Sequence, residues 1–153
     1  MTTSVEKVID GFATPTLTSI VGMPDYESIK VVNDELTGNA FGVRTNLGCG
    51  TVGYSCLTLT PTVYATLSAV PFVASPPNPR VQAVIPVGQT QIQITALNRA
   101  FDIANTLHQE YLTVGNALKK QLLASVEDIY LCALKQPCVL YGNVTVLQLL
   151  THL

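Results

Sequence analysis

Charge is what this chain has least of. Eight Lys and Arg and ten Asp and Glu make up 12% of its 153 residues, against about a quarter in an ordinary globular protein. Phosphate backbones are held by clustered Lys and Arg. With a net charge of −2 and Lys119-Lys120 as the one adjacent basic pair, a main nucleic-acid contact within these residues is not expected. The pair reads as the solvated face of a helix. Long apolar runs are also missing: no stretch reaches the roughly 18 residues a membrane-crossing helix needs. Glu6, Lys7 and Asp10 interrupt the segment where a secretory signal would carry its apolar core. These absences lead to the expectation of a soluble, cytoplasmic protein.

The usual signatures of catalysis are lacking too. Cys49, Cys56, Cys132 and Cys138 do not form a CxxC half-site, and His108 and His152 lie away from paired thiols, so no metal is expected. Spacing leaves a Cys49–Cys56 or Cys132–Cys138 disulfide open, while the missing secretory signal favours free, partly buried thiols. The stretch 48–53, Gly-Cys-Gly-Thr-Val-Gly, fits the dinucleotide fingerprint G-x-G-x-x-G. That fingerprint requires a strand before it and an acidic residue about 20 positions later. Here a helical pattern precedes it and no Asp or Glu occurs between Glu35 and Asp102, so it reads as a glycine-rich turn. Asp102 and Glu110 do not share a helix face with His108, Ser55-Cys56 has no histidine placed by a motif, and Asp10-Gly11 lacks the middle residue of an aspartic-protease signature. No catalytic, cofactor-binding or metal-binding residue is assigned, and the chain is read as a non-enzyme.

What the chain does have is apolar surface. Hydrophobic residues make up 48% and the mean hydropathy is +0.36. An apolar excess without membrane-length runs is expected where part of the surface is buried against copies of the same chain. The pattern is helical. Ser4 caps a short helix ended by Gly11, and Pro24-Asp25 opens a second on which Ile29, Val32, Leu36, Ala40, Val43 and Leu47 step along one face up to Gly48. Gly38 and Gly42 on it either admit a neighbouring helix or divide the segment, the second being favoured. Residues 54–59 alternate like a strand. Thr60-Pro61 has the form of an N-cap with Pro at N1.

Residues 92–153 carry the longest periodic region. Ile94, Leu97, Phe101, Ala104, Leu107, Tyr111 and Leu112 precede a break at Gly115, and Leu118, Leu122, Leu123 and Val126 follow it, which reads as an antiparallel helix pair. A helix over 127–135 is stopped by Gln136-Pro137. Thr145 with Gln148 is a capping box for a last helix, which also accounts for the formal Asn143-Val144-Thr145 glycosylation sequon. The expectation is a mainly α single domain, 1–153: a bundle of about five to seven helices with at most a small β-hairpin. Within it, an N-terminal lobe (1–70) and a C-terminal lobe (91–153) flank a Pro-rich extended connector (71–90), in which 81–85 could add a short edge strand. Phe12, Leu17 and Ile20 in an extended arm, with Phe72 and Val73 in the connector, are the candidate subunit contacts.

Several blocks of the chain resemble the capsid-type, N-terminal region of Gag-like proteins of Ty1/copia-type retrotransposons from diatoms and related algae. They are Asp25-Tyr26-Glu27-Ser28-Ile29, the run 57–68 with Thr60-Pro61-Thr62-Val63-Tyr64, Pro71-Phe72-Val73, Ala117-Leu118-Lys119-Lys120-Gln121-Leu122, the run 129–134, and 143–153 with Asn143-Val144-Thr145 ahead of Leu149-Leu150. The resemblance implies a helical structural subunit that self-associates into a capsid, virus-like particle or tubular filament. It implies RNA as a partner only through a downstream zinc knuckle, whose Cys/His pattern is missing from these residues. With no stop signal before Leu153, a shortened form of something longer is expected. The competing expectation is an intracellular helical adaptor that takes a peptide or helix in a groove lined by Leu118, Leu122, Ile129 and Leu134.

Overall fold

The computed structural model describes residues 4–43, 53–69 and 76–153. Among them are six α-helices: α1 (Val5–Asp10), α2 (Tyr26–Gly42), α3 (Pro61–Leu67), α4 (Gln91–Ser125), α5 (Asp128–Leu131) and α6 (Val146–His152). Two 3₁₀ turns, Ser55–Leu57 and Cys132–Leu134, join them. The only β pairing among the described residues is an isolated antiparallel bridge between Gln136 and Leu140.

Local side-chain chemistry sets most helix starts. Ser4, Asp25, Thr60, Thr90 and Thr145 each accept a hydrogen bond from the backbone N–H three residues on, and Ser28, Gln93 and Gln148 return the bond to complete capping boxes. Each cap satisfies donors that a helix start otherwise leaves open.

The long periodic region departs from expectation. Residues 91–125 form one continuous 35-residue helix instead of an antiparallel pair. Gly115 does not break it, because an interior glycine costs only about 1 kcal/mol relative to alanine and no capping residue or proline accompanies it. A Cβ on Gly115 would meet only Leu57 Cδ2, at 3.9 Å. At 1.5 Å per residue α4 is about 52 Å long, whereas a compact chain of this size has a radius of gyration of about 15 Å and hence a diameter near 40 Å. The helix must outrun the body.

One cluster of buried apolar side chains holds the body together. It takes Val32, Leu36 and Ala40 from α2, Val114, Ala117, Leu118 and Leu122 from α4, and Val146 and Leu149 from α6. Phe12, Leu17 and Ile20 join it with Tyr54 and Leu131. The arm is therefore folded onto its own chain. Thr14 N–H donates to Asn39 Oδ1 (2.9 Å), Thr18 donates through N–H and Oγ1 to the Glu35 carboxylate (2.8 and 2.7 Å), and Ile20 N–H donates to Ser125 O (2.7 Å).

Other segments differ from their sequence patterns. Gly38 neither divides α2 nor admits a neighbour, since nothing lies within 4 Å of a Cβ built there, and α2 ends at Gly42. Residues 55–57 form a 3₁₀ turn, not a strand, and 81–85 add no strand. Of the glycine-rich stretch, Gly53 is described. It has φ +56° and sits so close to the end of α2 that a Cβ would be 2.5 Å from Phe41 O, and Tyr54 N–H then donates to Ala40 O at 2.8 Å. Gly48, Gly50, Cys49 and Leu47 lie outside the described residues.

Candidate functional site

Two features stand out from the body: a cleft between α4 and α6, and the uncovered leading half of α4. The cleft has a volume of about 440 Å³, within the range of small-ligand sites. Tyr111, Gly115 and Lys119 of α4 form one wall, Cys56 and Leu57 the floor, and Val144 to Leu147 the other wall. Gly115 contributes to it by presenting no side chain. Lys119 Nζ donates to the carbonyls of Tyr141 (3.0 Å) and Gly142 (3.3 Å), and burial pushes its ammonium below the ordinary value. Lys119 therefore ties the 141–142 turn to α4 instead of lying on a solvated face, while Lys120 is exposed beside Glu6 at 3.3 Å.

Beside the cleft, Tyr141 donates its hydroxyl to Asp128 Oδ1 at 2.6 Å. Burial first, then this bond and the carboxylate charge, push the Tyr141 phenol up to about 12. The Tyr141 hydroxyl, followed by Lys135 Nζ at 3.3 Å, holds the Asp128 carboxyl below its usual value.

The leading half of α4 has a different character. Buried α4 residues are confined to its last third, from Val114 to Ser125. Ahead of them Ile92 is 83% exposed, Leu97 45% and Ile103 50%. Ile94, Phe101, Ala104 and Leu107 are half-covered. The chain 76–90 meets α4 on another face, where Gln82 Nε2 donates to Asn98 Oδ1 and His108 Nδ1 lies 3.3 Å from Pro76 O. Val81, Val84 and Val87 on that chain are themselves exposed.

The expected contact residues fare differently. Phe12, Leu17 and Ile20 are 5–6% exposed and spent within the chain's own core, so they present no surface for a partner. The arm buries them because Asn39, Gln121 and Glu35 give its backbone hydrogen-bond partners. Phe72 and Val73 lie outside the described residues. The four-residue groove expected for an adaptor does not form either. Leu118 and Leu122 are fully buried and Ile129 points to solvent.

His108 and Glu110 have separate partners, Glu110 Oε1 accepting from Tyr54 Oη at 2.8 Å. Cys56 is buried, and Cys132 and Cys138 are exposed free thiols. No group of three potential metal ligands occurs among the described residues, and none of the helices found there is long and apolar enough to cross a membrane. In comparisons with known proteins, no family model, curated protein or solved structure matches the chain.

Proposed function

We propose that the protein is a self-assembling structural subunit, building an intracellular particle or filament of the kind its resemblance to Gag-like capsid proteins implies. One observation carries this reading: the leading half of α4 extends past the core with Ile92, Leu97 and Ile103 exposed, in a chain with few charges to keep copies apart. Apolar side chains on a protruding helix gain free energy only when something covers them, at roughly 25 cal/mol per Å². Val81, Val84 and Val87, on the chain that runs along another face of α4, are exposed as well.

Light scattering at micromolar concentration and moderate salt, followed by electron microscopy, tests the reading. Concentration-dependent growth into particles or tubes is expected. A uniform monomer with no assemblies on the grid overturns it.

The cleft between α4 and α6 favours a second reading, an adaptor that seats an apolar side chain of a peptide or helix against Gly115. A monomer that binds such a peptide at 1:1 stoichiometry, without assembling, supports the adaptor over the structural subunit.

A further inference from the structure

We propose that two copies of the chain pair antiparallel through the leading half of α4, about a two-fold axis beside Ala100. The inference rests on the self-association reading and names its first contact.

The argument begins with one row of the helix. Stepping by three or four residues, Ile92, Ala96, Ala100, Ile103 and Leu107 continue directly into Glu110, Val114, Leu118, Gln121 and Ser125. The C-terminal part of this row is the face of α4 buried in the core. Toward the N-terminus the row keeps the same direction but loses its cover: Leu107 is half-buried, and Ile103, Ala100, Ala96 and Ile92 are exposed. It is a core-type face with no core beneath it.

An antiparallel copy fits that face in size and shape. In a two-fold pair each contact occurs twice. With Ile92 opposite the partner copy's Leu107 and Ala96 opposite its Ile103, two bulky pairs close the ends and two bulky-on-small pairs flank the middle. Small side chains near the axis let the helices approach closely. The overlap uses the whole free length, residues 92–107, about 24 Å. Each helix start then stops where the other body begins.

Charge chooses the orientation. Between Gln91 and Gln109 the helix carries one cation, Arg99, and one anion, Asp102. Both are exposed, and neither belongs to an ion pair among the described residues. The antiparallel pair brings Arg99 of each copy toward Asp102 of the other on the same side of the interface. A parallel two-fold pair would place the Arg99 and Asp102 flanks of the two copies on opposite edges of the interface, out of reach of one another, and press the two bodies together at one end.

The test uses the full chain with Cys49, Cys132 and Cys138 changed to serine. Ala100→Cys is placed next to the axis, and Asn105→Cys, on the opposite face of α4, is the control. Mild oxidation is expected to link Ala100→Cys into a covalent dimer and leave Asn105→Cys unlinked. In sedimentation equilibrium at low salt, Arg99→Asp or Asp102→Arg alone is expected to weaken the dimer about tenfold, and the double swap to restore it. Circular dichroism checks that α4 is retained in every variant. Self-association without selective linking at Ala100 and without rescue by the double swap overturns this pairing and leaves the structural-subunit reading standing. A parent chain that stays monomeric overturns both.

Discussion

Asn39 Nδ2 donates to Gln121 Oε1 at 3.0 Å inside the core, joining α2 to α4. Both amides also hold the arm. Asn39 exchanges two hydrogen bonds with the backbone of Thr14, and Gln121 Nε2 donates to the carbonyls of Thr14 (3.1 Å) and Pro15 (2.7 Å). Two buried amides thus replace the backbone partners that a strand or helix would have given residues 14 and 15, and the neighbouring Phe12 and Leu17 can be buried.

Removing one amide leaves buried groups unpaired. Asn39→Ala is expected to cost about 1–3 kcal/mol, read as a lower urea midpoint with an unchanged slope. Ser55→Ala provides the contrast. Ser55 Oγ is buried with no hydrogen-bond partner among the described residues, so its loss is expected to leave stability unchanged or slightly raised.

The glycines separate by position. Gly115→Ala and Gly38→Ala are expected to stabilise the protein by up to about 1 kcal/mol each, because both lie in helices with space for a Cβ. Gly53→Ala is expected to destabilise strongly, since its φ of +56° and the 2.5 Å approach to Phe41 O both oppose a side chain. Thermal melts of the three variants check the order. A large loss from Gly115→Ala would contradict the continuous α4.

Asp128 and Tyr141 give pH dependence at opposite ends of the scale. Asp128 is held below its ordinary 3.8, so its contribution is present above that value and is lost as pH falls below it. Tyr141 is raised from 10.0 to about 12. Its contribution is full below pH 10 and is lost as pH climbs toward 12, where the unfolded phenol has ionised and the folded one has not. Ultraviolet titration of the parent minus Tyr141→Phe is expected to have its midpoint at about 12. Asp128→Asn is expected to lower that midpoint only in part, because burial is the larger cause.

The helix caps and the helical class were legible in the sequence because capping is local: Ser4, Asp25, Thr60 and Thr145 need only residues within one turn. The continuity of α4 was obscured by Gly115, whose small penalty is overridden by the helical residues on both sides. The face of α4 that enters the core is illegible for a non-local reason. Ile94 and Phe101, prominent in its leading half, share the side of Asn98, which meets Gln82 of the connector, while the row that becomes core passes through the inconspicuous Ala96 and Ala100. The arm was equally opaque. Phe12, Leu17 and Ile20 look like contact residues until Asn39 and Gln121, distant in sequence, supply partners for the backbone between them. Periodicity gives no sign of two polar residues meeting across 82 positions.

Sedimentation equilibrium of the unmodified chain tests self-association most directly. The fitted mass is expected to rise with concentration above the 16.4 kDa of one chain, and to return toward it when Ile103→Glu places a charge on the uncovered row of α4. A mass of 16.4 kDa at every concentration up to about 100 µM, a range in which even weak specific dimers form, would contradict the account.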